Sequence, residues 1–498
     1  MKKQVFNPFL PIGECIPDGE PHVFGDRVYL YGSHDKEGGE TFCMLDYTVY
    51  SAPVDDLSDW RREGVIYRAE QDPGYSERNF MYAPDVVRGN DGRYYLYYCM
   101  SGKDGVGGYF GPISVAVCDS PAGQYEYLGF VRNKDGSPMK KYVCFDPGVI
   151  NDNGVVRVYY GTQYDFEERE DFPDEELIAA EMNMFGKSRE EILEYSKSDS
   201  VMGAVALTLE DDMLTVKDEP RHIIPYKVKG TDFEFHPFFE ASSIRKVGEK
   251  YYFIYSSQKN HELCYAVSDL PDRNFRFGGT IVSNGDVGLN GRKDEDRLNM
   301  TGTTHGSIEN IGGQWYVFYH RLTHKSDYSR QACAEKITIA DDGSIEQVEI
   351  TSCGLNDGAL KAEGRYPAVI ACNITNGHMP HGSNKIYTHS FPNCTHRDDP
   401  NCGRERFIGE IEGGTVIGYK YFDFKGAVNF TVTVRSEKGG SFEISDKFGG
   451  EPKAVVKVSP SEEWREFSAV LDMGNGAYPL FLKFIGENAE LKEIAFGG

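Results

Sequence analysis

Residues 82–98 read YAPDVVRGNDGRYYLYY, which is an aromatic residue, an acidic residue, a short apolar run, a polar turn and a strand dense in tyrosine. Four other stretches repeat this order from the acidic residue onwards, with histidine in its place in the last: PDGEPHVFGDRVYLYGSHD from 17, FDPGVINDNGVVRVYYGT from 145, EASSIRKVGEKYYFIYSS from 240 and HGSIENIGGQWYVFYHR from 305. Their leading polar residues are 67, 61, 94 and 65 residues apart. A period this long, carried by hairpins, is typical of a radial repeat of small sheets. The sequence therefore predicts an all-β fold that contains a five-bladed β-propeller.

The polar residues that lead the five repeats are candidate site residues. They are Asp18, Asp85, Asp146, Glu240 and His305. Equivalent positions of propeller blades converge on the central axis. If each residue has the same place in its blade, four carboxylates and one imidazole meet in one pocket. The repeat thus predicts a site at the axis.

The composition limits the classes of partner. The chain has 498 residues, 40% of them hydrophobic, which is enough for two or three packed domains. Its formal net charge is −25. Nucleic acids and anionic membrane surfaces require a positive footprint, so neither is an expected partner. A neutral substrate is favoured.

The N-terminal sequence and the cysteine pattern indicate in which cellular compartment the protein is expected. MKKQVFNPFLPIGEC has two lysines but no long apolar stretch after them, and no window has 18 consecutive apolar residues. The 11 cysteines show no CxxC pair or metal-ligand spacing, and Cys99, Cys144 and Cys264 lie in or beside predicted strands. We expect free, buried thiols and a reduced, cytoplasmic setting.

The 94-residue spacing between Asp146 and Glu240 indicates an insertion, roughly residues 165–199. Its apolar residues recur at helical intervals, and Ser188 with Glu191 three residues later forms a capping-box pattern. We predict two short helices on the rim of the propeller. A lid or wall of the substrate entrance and a solvated acidic decoration are equally consistent with the pattern, and so is contact with another subunit of a homo-oligomer.

The pattern changes after residue 350. Residues 352–498 alternate strands and turns without the repeat, which predicts a β-sandwich. The predicted domains are therefore a propeller over 1–345 and a sandwich over 352–498, with a linker within 353–365.

Two of the carboxylates differ in local context. Asp18 lies in the polar run PDGEP and is expected to stay ionised, whereas Glu240 follows HPFF, an apolar setting that raises a carboxyl pKa. A nearby third carboxylate, for which Asp146 is the candidate, raises it further. One ionised and one protonated carboxyl group suit the hydrolysis of a glycoside. Metal binding and sugar binding without turnover are the alternatives.

The ordered set of Asp18 before an aromatic strand, YAPD, FDP with an ND turn, and EASS before a tyrosine strand resembles glycoside hydrolase family 43 over residues 5–335. The resemblance implies a five-bladed propeller that hydrolyses furanosides or xylosides with inversion. It implies that Asp18 is the general base, Asp146 orients the acid and tunes its pKa, and Glu240 is the general acid. It also implies that His305 binds or lies beside a central calcium ion. No organic cofactor is expected.

Further site residues are expected from the same pattern. Tyr82 stands where the family usually has tryptophan, and Asp85 either lines the pocket or locks the blade. His34 lies near the predicted mouth, and Arg321 after YH is a candidate donor to substrate. Glu20, two residues after Asp18, is an alternative base on sequence grounds.

The predicted function is an inverting exo-glycosidase. It would release α-L-arabinofuranosyl or β-D-xylosyl units from small arabinoxylan- or arabinan-derived oligosaccharides. Inversion predicts that the two carboxyl groups lie about 6.5–9.5 Å apart. A β-galactofuranosidase, a sugar-binding propeller without turnover and a calcium-dependent adhesion propeller are the alternatives. The C-terminal part resembles family 6 carbohydrate-binding modules, and either binds carbohydrate or only packs on the propeller.

Overall fold

The computed structural model describes residues 3–75, 80–101, 111–163, 175, 178–179, 182, 187–197, 202–382, 385–399 and 403–497. Its strands form five small antiparallel sheets followed by two six-stranded sheets. This is the five-bladed propeller with a β-sandwich that the sequence predicts. No described helix is long and apolar enough to cross a membrane.

The five blades use the strands in chain order. Blade 1 contains β1 (Glu20–Phe24), β2 (Arg27–Tyr31), β3 (Tyr47–Pro53) and β4 (Arg61–Tyr67). Blade 2 contains β5 (Phe80–Arg88), β6 (Tyr94–Ser101), β7 (Ser114–Cys118) and β8 (Glu126–Phe130). Blade 3 contains β9 (Gly148–Asp152), β10 (Val155–Tyr160), β11 (Val205–Leu209) and β12 (Val216–His222). Blade 4 contains β13 (Phe238–Val247), β14 (Lys250–Ser257), β15 (Glu262–Ser268) and β16 (Arg276–Ser283). Blade 5 contains β17 (Ser307–Ile311), β18 (Gln314–Leu322) and β19 (Arg330–Ile337).

The predicted turns join the first two strands of the blades. β9 and β10 pair from Asp152 opposite Val155, so the loop is Asn153–Gly154. Both loop residues have positive φ, 52° and 89°. This is the conformation of the type I′ turns that match the twist of a hairpin, and Asn-Gly favours it. Gly312 and Gly313, at φ 61° and 92°, make the same kind of turn in blade 5.

The ring closes through its first and last blades. The inner strands touch in the order β1, β5, β9, β13 and β17, and β17 touches β1 again. The N-terminal segment lies along the outer strand of blade 5, where the Phe9 N–H donates to the Ala332 carbonyl at 3.2 Å. The Asn7 side chain bridges to both backbone polar groups of Ala334.

A cluster of charged side chains, here called the axial clasp, joins the inner strands. It consists of Glu20, His22, Asp85, Arg245 and Glu309. Arg245 pairs with Glu20 at 2.9 Å and with Glu309 at 3.4 Å, and thus connects blade 4 to blades 1 and 5. Asp85 accepts from His22 at 2.6 Å and from the N–H of Val149 in blade 3 at 2.7 Å. All five blades therefore meet in the clasp.

Replacing the arginine of the clasp is expected to destabilise the propeller. Arg245→Met would leave the buried Glu20 and the partly buried Glu309 without their cation. The loss of one partner of a fully buried pair costs about 3–5 kcal/mol. The exposed Arg276 provides the control, because Arg276→Met is expected to change stability by less than about 0.5 kcal/mol. Urea unfolding of the two variants measures the difference. Equal stability of both would show that the clasp contributes nothing.

The insertion between β10 and β11 contributes the helix α1 (Arg189–Lys197). The predicted capping box is confirmed, because the Ser188 N–H donates to Glu191 at 2.9 Å and the Glu191 N–H donates to the Ser188 hydroxyl at 3.3 Å. Ile178 and Ile192 are buried in one apolar cluster with Tyr82, Phe145 and Phe239. The first predicted helix lies largely outside the described residues. The packing places this part of the insertion against residues that flank the candidate site.

The second domain consists of two packed sheets. One contains β20 (Leu360–Lys361), β22 (Asn373–Thr375), β25 (Val416–Lys425), β27 (Gly440–Ser445), β28 (Ala454–Val458) and β30 (Asn475–Gly486). The other contains β21 (Gly364–Pro367), β23 (Asn393–Asp399), β24 (Gly403–Ile411), β26 (Val428–Ser436), β29 (Ser461–Leu471) and β31 (Ala489–Gly497). This domain also contains the short 3-10 helix Ala368–Ile370. Four other 3-10 helices among the described residues precede the domain, at Ala69–Gln71, Asn284–Asp286, Leu289–Gly291 and Asp294–Asp296. β20 lies within the predicted linker and β21 begins in it, so the end of the linker belongs to the sandwich.

Cysteines within the described ranges are free thiols, as expected. Cys99, Cys144 and Cys264 are all buried. Burial raises the pKa of each of the thiols of Cys99 and Cys264 well above the usual value. They are therefore unreactive packing residues.

Candidate active site

Three of the repeated polar residues occupy equivalent places. Asp18, Asp146 and His305 each precede their inner strand by two residues and stand six residues before its last residue. Asp18 and Asp146 have positive φ, 57° and 45°, a conformation that non-glycine residues seldom adopt. Such strain in two equivalent places marks a functional site.

Glu240 reaches the site from a slightly different place. It is the third residue of β13 and stands seven residues before the end of that strand. The pairing of β13 with β14 shifts register on both sides of Glu240, and the next residue, Ala241, has φ 70°. A bulge of this kind re-aims a side chain. It places an offset glutamate beside the other groups.

The imidazole of His305 and the carboxylates form one cluster. His305 Nδ1 lies 3.8 Å from Asp18 Oδ1 and 3.6 Å from Asp146 Oδ2. The Ala241 N–H donates to Asp146 Oδ2 at 3.0 Å, which fixes Asp146 beside the peptide that carries Glu240. Asp18, Asp146 and His305 are almost fully buried. The structure thus brings together four of the five repeated residues.

Asp18 is held as an anion. Arg330 Nη1 donates to Asp18 Oδ1 at 2.8 Å, and the same guanidinium makes two bonds to Asp35, at 2.8 and 3.0 Å. Burial alone would raise the pKa of Asp18, but the positive charge of Arg330 outweighs it and holds this pKa far below its ordinary value. Asp18 is therefore ionised over the whole physiological range.

The surroundings of Glu240, unlike those of Asp18, favour the protonated carboxyl group. Phe238 and Phe239 beside it are buried, as the apolar run HPFF suggests. Burial and the negative charge of Asp18 raise the pKa of Glu240 to about 8. Burial and the charges of Glu240 and Asp18 raise the pKa of Asp146 as well. Burial lowers the pKa of His305 to about 4, so its ring is neutral. The site therefore holds one carboxylate, Asp18, and two carboxyl groups, Glu240 and Asp146, whose surroundings favour the protonated form.

Asp85 does not join these residues. It stands only three residues before the end of β5 and belongs to the axial clasp, so it locks the blades. Of the two alternatives for Asp85, the locking role therefore fits its position. Glu20 also lies in the clasp, where it pairs with Arg245 at 2.9 Å.

Two predicted substrate contacts are engaged elsewhere. Arg321 points away from the site, since its guanidinium donates to the carbonyls of Ala371 and Val369 in the second domain. Its expected role as a donor to substrate is incompatible with this placement. Both ring nitrogens of His34 contact protein atoms: the Asp46 carbonyl at 2.8 Å and the Glu14 carboxylate at 2.9 Å. His34 thus supports the loop after β2.

Tyr82 stays beside the site. Its ring lies 5.9 Å from that of Phe145, the neighbour of Asp146, and both belong to the apolar cluster that includes Phe239. The part of the insertion around Ile178 and Ile192 packs on the same cluster. These contacts favour the wall of an entrance over a solvated decoration.

Sequence reasoning missed Arg330. It begins β19, whose first six residues are all buried. An arginine that opens an otherwise buried strand needs a partner, which was a usable signal. The motif repeat could not reveal it, because Arg330 lies on the outer strand of blade 5.

Three groups of side chains among the described residues could hold a metal ion. They are Glu37 with His324 and His396, His236 with Glu262 and Cys264, and Glu20 with His22 and Asp85. None of these groups contains His305. Near His305 the oxygen ligands are Asp18 and Asp146, whereas calcium takes six to eight oxygens. The residues present therefore do not form a protein cage for calcium at His305.

Comparison with known proteins places the chain in a family. Residues 7–193 match Glycosyl hydrolases family 43. A xylosidase/arabinosidase of Thermoclostridium stercorarium is 43% identical over 511 residues, which cover 99% of both chains. Xylosidase/arabinosidase 43A of Humicola insolens is 31% identical over 66% of this chain and 95% of its own. A GH43_1 enzyme of Xanthomonas citri shares the fold with a TM-score of 0.52, at 24% identity over 71% of this chain and 95% of that chain. Full-length similarity at this level, with a carboxylate and a carboxylic acid at the axis, identifies the chain as a member of glycosyl hydrolase family 43.

Proposed function

We propose that this glycoside hydrolase, of the xylosidase/arabinosidase type, removes terminal α-L-arabinofuranosyl or β-D-xylosyl units from oligosaccharides with inversion at the anomeric carbon. The observation that carries the mechanism is the contrast between the surroundings of two carboxyl groups: a buried guanidinium pairs with Asp18, whereas buried phenylalanines flank Glu240. Arg330 keeps Asp18 ionised, while burial and the charge of Asp18 keep Glu240 protonated. The relatives named above support the choice of sugars.

Asp18 is the proposed general base. Its carboxylate takes a proton from a water molecule, whose oxygen attacks the anomeric carbon on the face opposite the leaving group. A carboxylate with a strongly lowered pKa is a weak base for bulk water. The developing positive charge on the sugar acidifies the attacking water late in the reaction, so proton transfer to Asp18 is part of the transition state.

Glu240 is the proposed general acid. It donates its proton to the glycosidic oxygen as the bond from that oxygen to the anomeric carbon breaks. Asp146 supports Glu240 by position, because it accepts from the Ala241 N–H at 3.0 Å beside the peptide that carries Glu240. The charge that raises the pKa of Glu240 is that of Asp18, not that of Asp146 as the sequence predicted. After turnover, Asp18 returns its proton to solvent and Glu240 regains one.

His305 is the proposed positioning residue between Asp18 and Asp146. Its Nδ1 faces Asp18 and Asp146 at 3.8 and 3.6 Å, and its neutral ring adds no charge that would disturb their ionisation. Calcium near His305 would be held largely by water, and no step of the mechanism depends on it. The cytoplasmic location and carbohydrate binding by the sandwich stay predictions.

Release of 4-nitrophenol from three glycosides tests the proposed function. The substrates are the α-L-arabinofuranoside, the β-D-xyloside and the β-D-galactofuranoside. We expect turnover of the first, the second or both. Turnover of the galactofuranoside alone would identify a β-galactofuranosidase. Binding of arabinose or xylose oligosaccharides by folded protein without any turnover would contradict the proposal in favour of a sugar-binding propeller.

The pH dependence of kcat/KM is expected to reflect both carboxyl groups. The active form has Asp18 ionised and Glu240 protonated. Because the pKa of Glu240 is raised to about 8, kcat/KM on an oligosaccharide should fall as the pH rises through this region. Because the pKa of Asp18 is lowered, the acidic side should stay flat down to below the ordinary aspartate value of about 3.9.

A pH series with xylobiose or an arabinose-substituted xylobiose measures this profile. The Glu240→Gln variant provides the control, since it should lose the alkaline limb. An activity that already declines between about pH 4 and 6, where unperturbed carboxyl groups ionise, would contradict the assigned protonation states.

A further inference from the structure

The seam between propeller and sandwich contains a cluster of two histidines and a glutamate outside the active site. Glu37 lies in the loop after β2, His324 in the loop after β18, and His396 on β23 of the sandwich. Their ligand atoms lie close together and most of their surface is buried. Three separate segments from two domains thus converge on one point.

The distances within the cluster suit a small divalent ion. His324 Nε2 and His396 Nδ1 are 3.0 Å apart, and Glu37 Oε1 lies 3.8 and 3.7 Å from them. For an ion about 2.1 Å from each ligand, these separations correspond to angles of roughly 90° and 125°. A regular tetrahedral site, the geometry that Zn²⁺ prefers, would need the two nitrogens to move apart and the glutamate oxygen to move closer, each by about 0.3–0.4 Å.

The hydrogen bonds that Glu37 accepts from neighbouring arginines leave one lone pair on its Oε1 for the ion. Glu37 Oε1 accepts one hydrogen bond, from Arg406 Nε at 2.8 Å, and Glu37 Oε2 accepts from Arg404 and Arg406 at 3.0 and 2.9 Å. A carboxylate oxygen has two acceptor positions, so Oε1 retains one. The two arginines are balanced by Glu37 and by Asp398, which pairs with Arg404 at 2.8 Å. Hydrogen bonds from outer residues are typical of carboxylates that bind metals.

The backbone at His324 is a second indication. Its φ is 66°, in the left-handed region that non-glycine residues seldom adopt. This conformation accompanies the approach of the imidazole to its partners across the seam. The conformation of this loop thus directs the imidazole towards two potential ligands.

We propose that Glu37, His324 and His396 form a zinc site that fastens the sandwich to the propeller. Two nitrogens and one carboxylate oxygen favour Zn²⁺ over the oxygen-seeking Ca²⁺ or Mg²⁺. Water completes the fourth position. Because this site joins the loop that carries Asp35 to the loop that precedes Arg330, the ion also stiffens the support of the active site without touching substrate.

Calorimetric titration of the EDTA-treated full chain with ZnCl₂ tests the proposal. Wild-type protein should bind one equivalent at this site, and the thermal midpoint should rise by a few degrees. His324→Ala and His396→Ala should each lose both effects. The exposed His378 provides the control, and His378→Ala should bind as wild type does.

Replacement of Zn²⁺ by Co²⁺ gives a readout that needs no variant. Co²⁺ in a tetrahedral site with nitrogen ligands absorbs visibly, so one equivalent added to the EDTA-treated protein should produce a d–d band that excess Zn²⁺ removes. Absence of stoichiometric binding, or binding retained by both histidine variants, would overturn the proposal. The contact between the two rings would then be an ordinary hydrogen bond.

Discussion

Glu240→Gln is expected to lose about 10²–10⁴-fold in kcat on an oligosaccharide, but far less on a 4-nitrophenyl glycoside. The reason is the leaving group. The sugar hydroxyl of an oligosaccharide leaves only when it receives a proton, whereas 4-nitrophenolate is stable enough to leave without one. Loss of a general acid therefore affects substrates according to the acidity of their leaving group.

Asp18→Asn is the matched comparison. The base acts on water, so its loss should reduce kcat on every substrate, by about 10⁴-fold at the upper end of the range for general catalysis. Kinetics of the two variants on xylobiose and on 4-nitrophenyl β-D-xyloside, or on the corresponding arabinosides, separate the roles. An equal loss on both substrates by Glu240→Gln would contradict its role as the acid.

Glu20→Gln provides the control for the base. Glu20 pairs with Arg245 in the axial clasp, so this variant is expected to lose stability while keeping the catalytic pH profile. If Asp18→Asn stays active while Glu20→Gln loses activity, the base is Glu20 and the assignment of Asp18 is wrong.

Arg330→Met is the second change with a large expected effect. Without the guanidinium, less would oppose burial, which raises the pKa of Asp18. The acidic limb of kcat/KM should therefore move upwards, because Asp18 must be ionised to act. Activity at neutral pH should fall by roughly 10²–10³-fold, as when one preorganised electrostatic group is removed. Stability should also decrease, because Asp18 and Asp35 lose their shared cation.

Arg321→Met is the control that separates the effect of Arg330 on catalysis from its effect on stability. Arg321 is also a buried arginine of blade 5. Its guanidinium, however, donates to backbone carbonyls of the second domain rather than to Asp18. Its loss should lower stability without moving the acidic limb. Full pH profiles of both variants, at a temperature where circular dichroism shows folded protein, provide the measurement. An identical shift in both would attribute the effect of Arg330 to stability alone.

The sequence predicts most of the architecture because the repeat and its turns are local signals. NDNG at 151–154 and GG at 312–313 form tight turns wherever they join two apolar strands, and the Ser188–Glu191 capping box depends only on neighbouring residues. Five such hairpins determine the number of blades. The apolar environment of Glu240 was predictable from HPFF. The ionised state of Asp18 was also predicted, but its reason was not, because Asp18 is buried and Arg330 rather than the polar run PDGEP stabilises its charge.

The positions along each strand were less predictable. Asp85 matches the repeat in sequence, yet a register shift between Tyr82 and Asp85 places it deeper, in the axial clasp. A bulge likewise offsets Glu240 by one residue. A one-residue shift changes the face to which a side chain points, and such shifts depend on tertiary packing.

The two arginines of blade 5 illustrate the same limit. Arg321 follows a conspicuous YH and was expected to contact substrate, whereas Arg330 lies in no motif. The role of each arginine depends on the groups that its guanidinium contacts. That of Arg321 donates to backbone carbonyls of the sandwich, whereas that of Arg330 donates to two aspartates of blade 1 and its loops. No pattern within blade 5 contains this information.

The stereochemistry of the first product tests the central claim most directly. Proton NMR during early turnover of the preferred 4-nitrophenyl glycoside shows which anomer of the free sugar forms before mutarotation. If Asp18 activates water on one face while the acid Glu240 acts on the other, the first sugar has the anomeric configuration opposite to that of the substrate. A first product with the substrate's own configuration would contradict the account, because it requires a carboxylate that attacks the sugar rather than water.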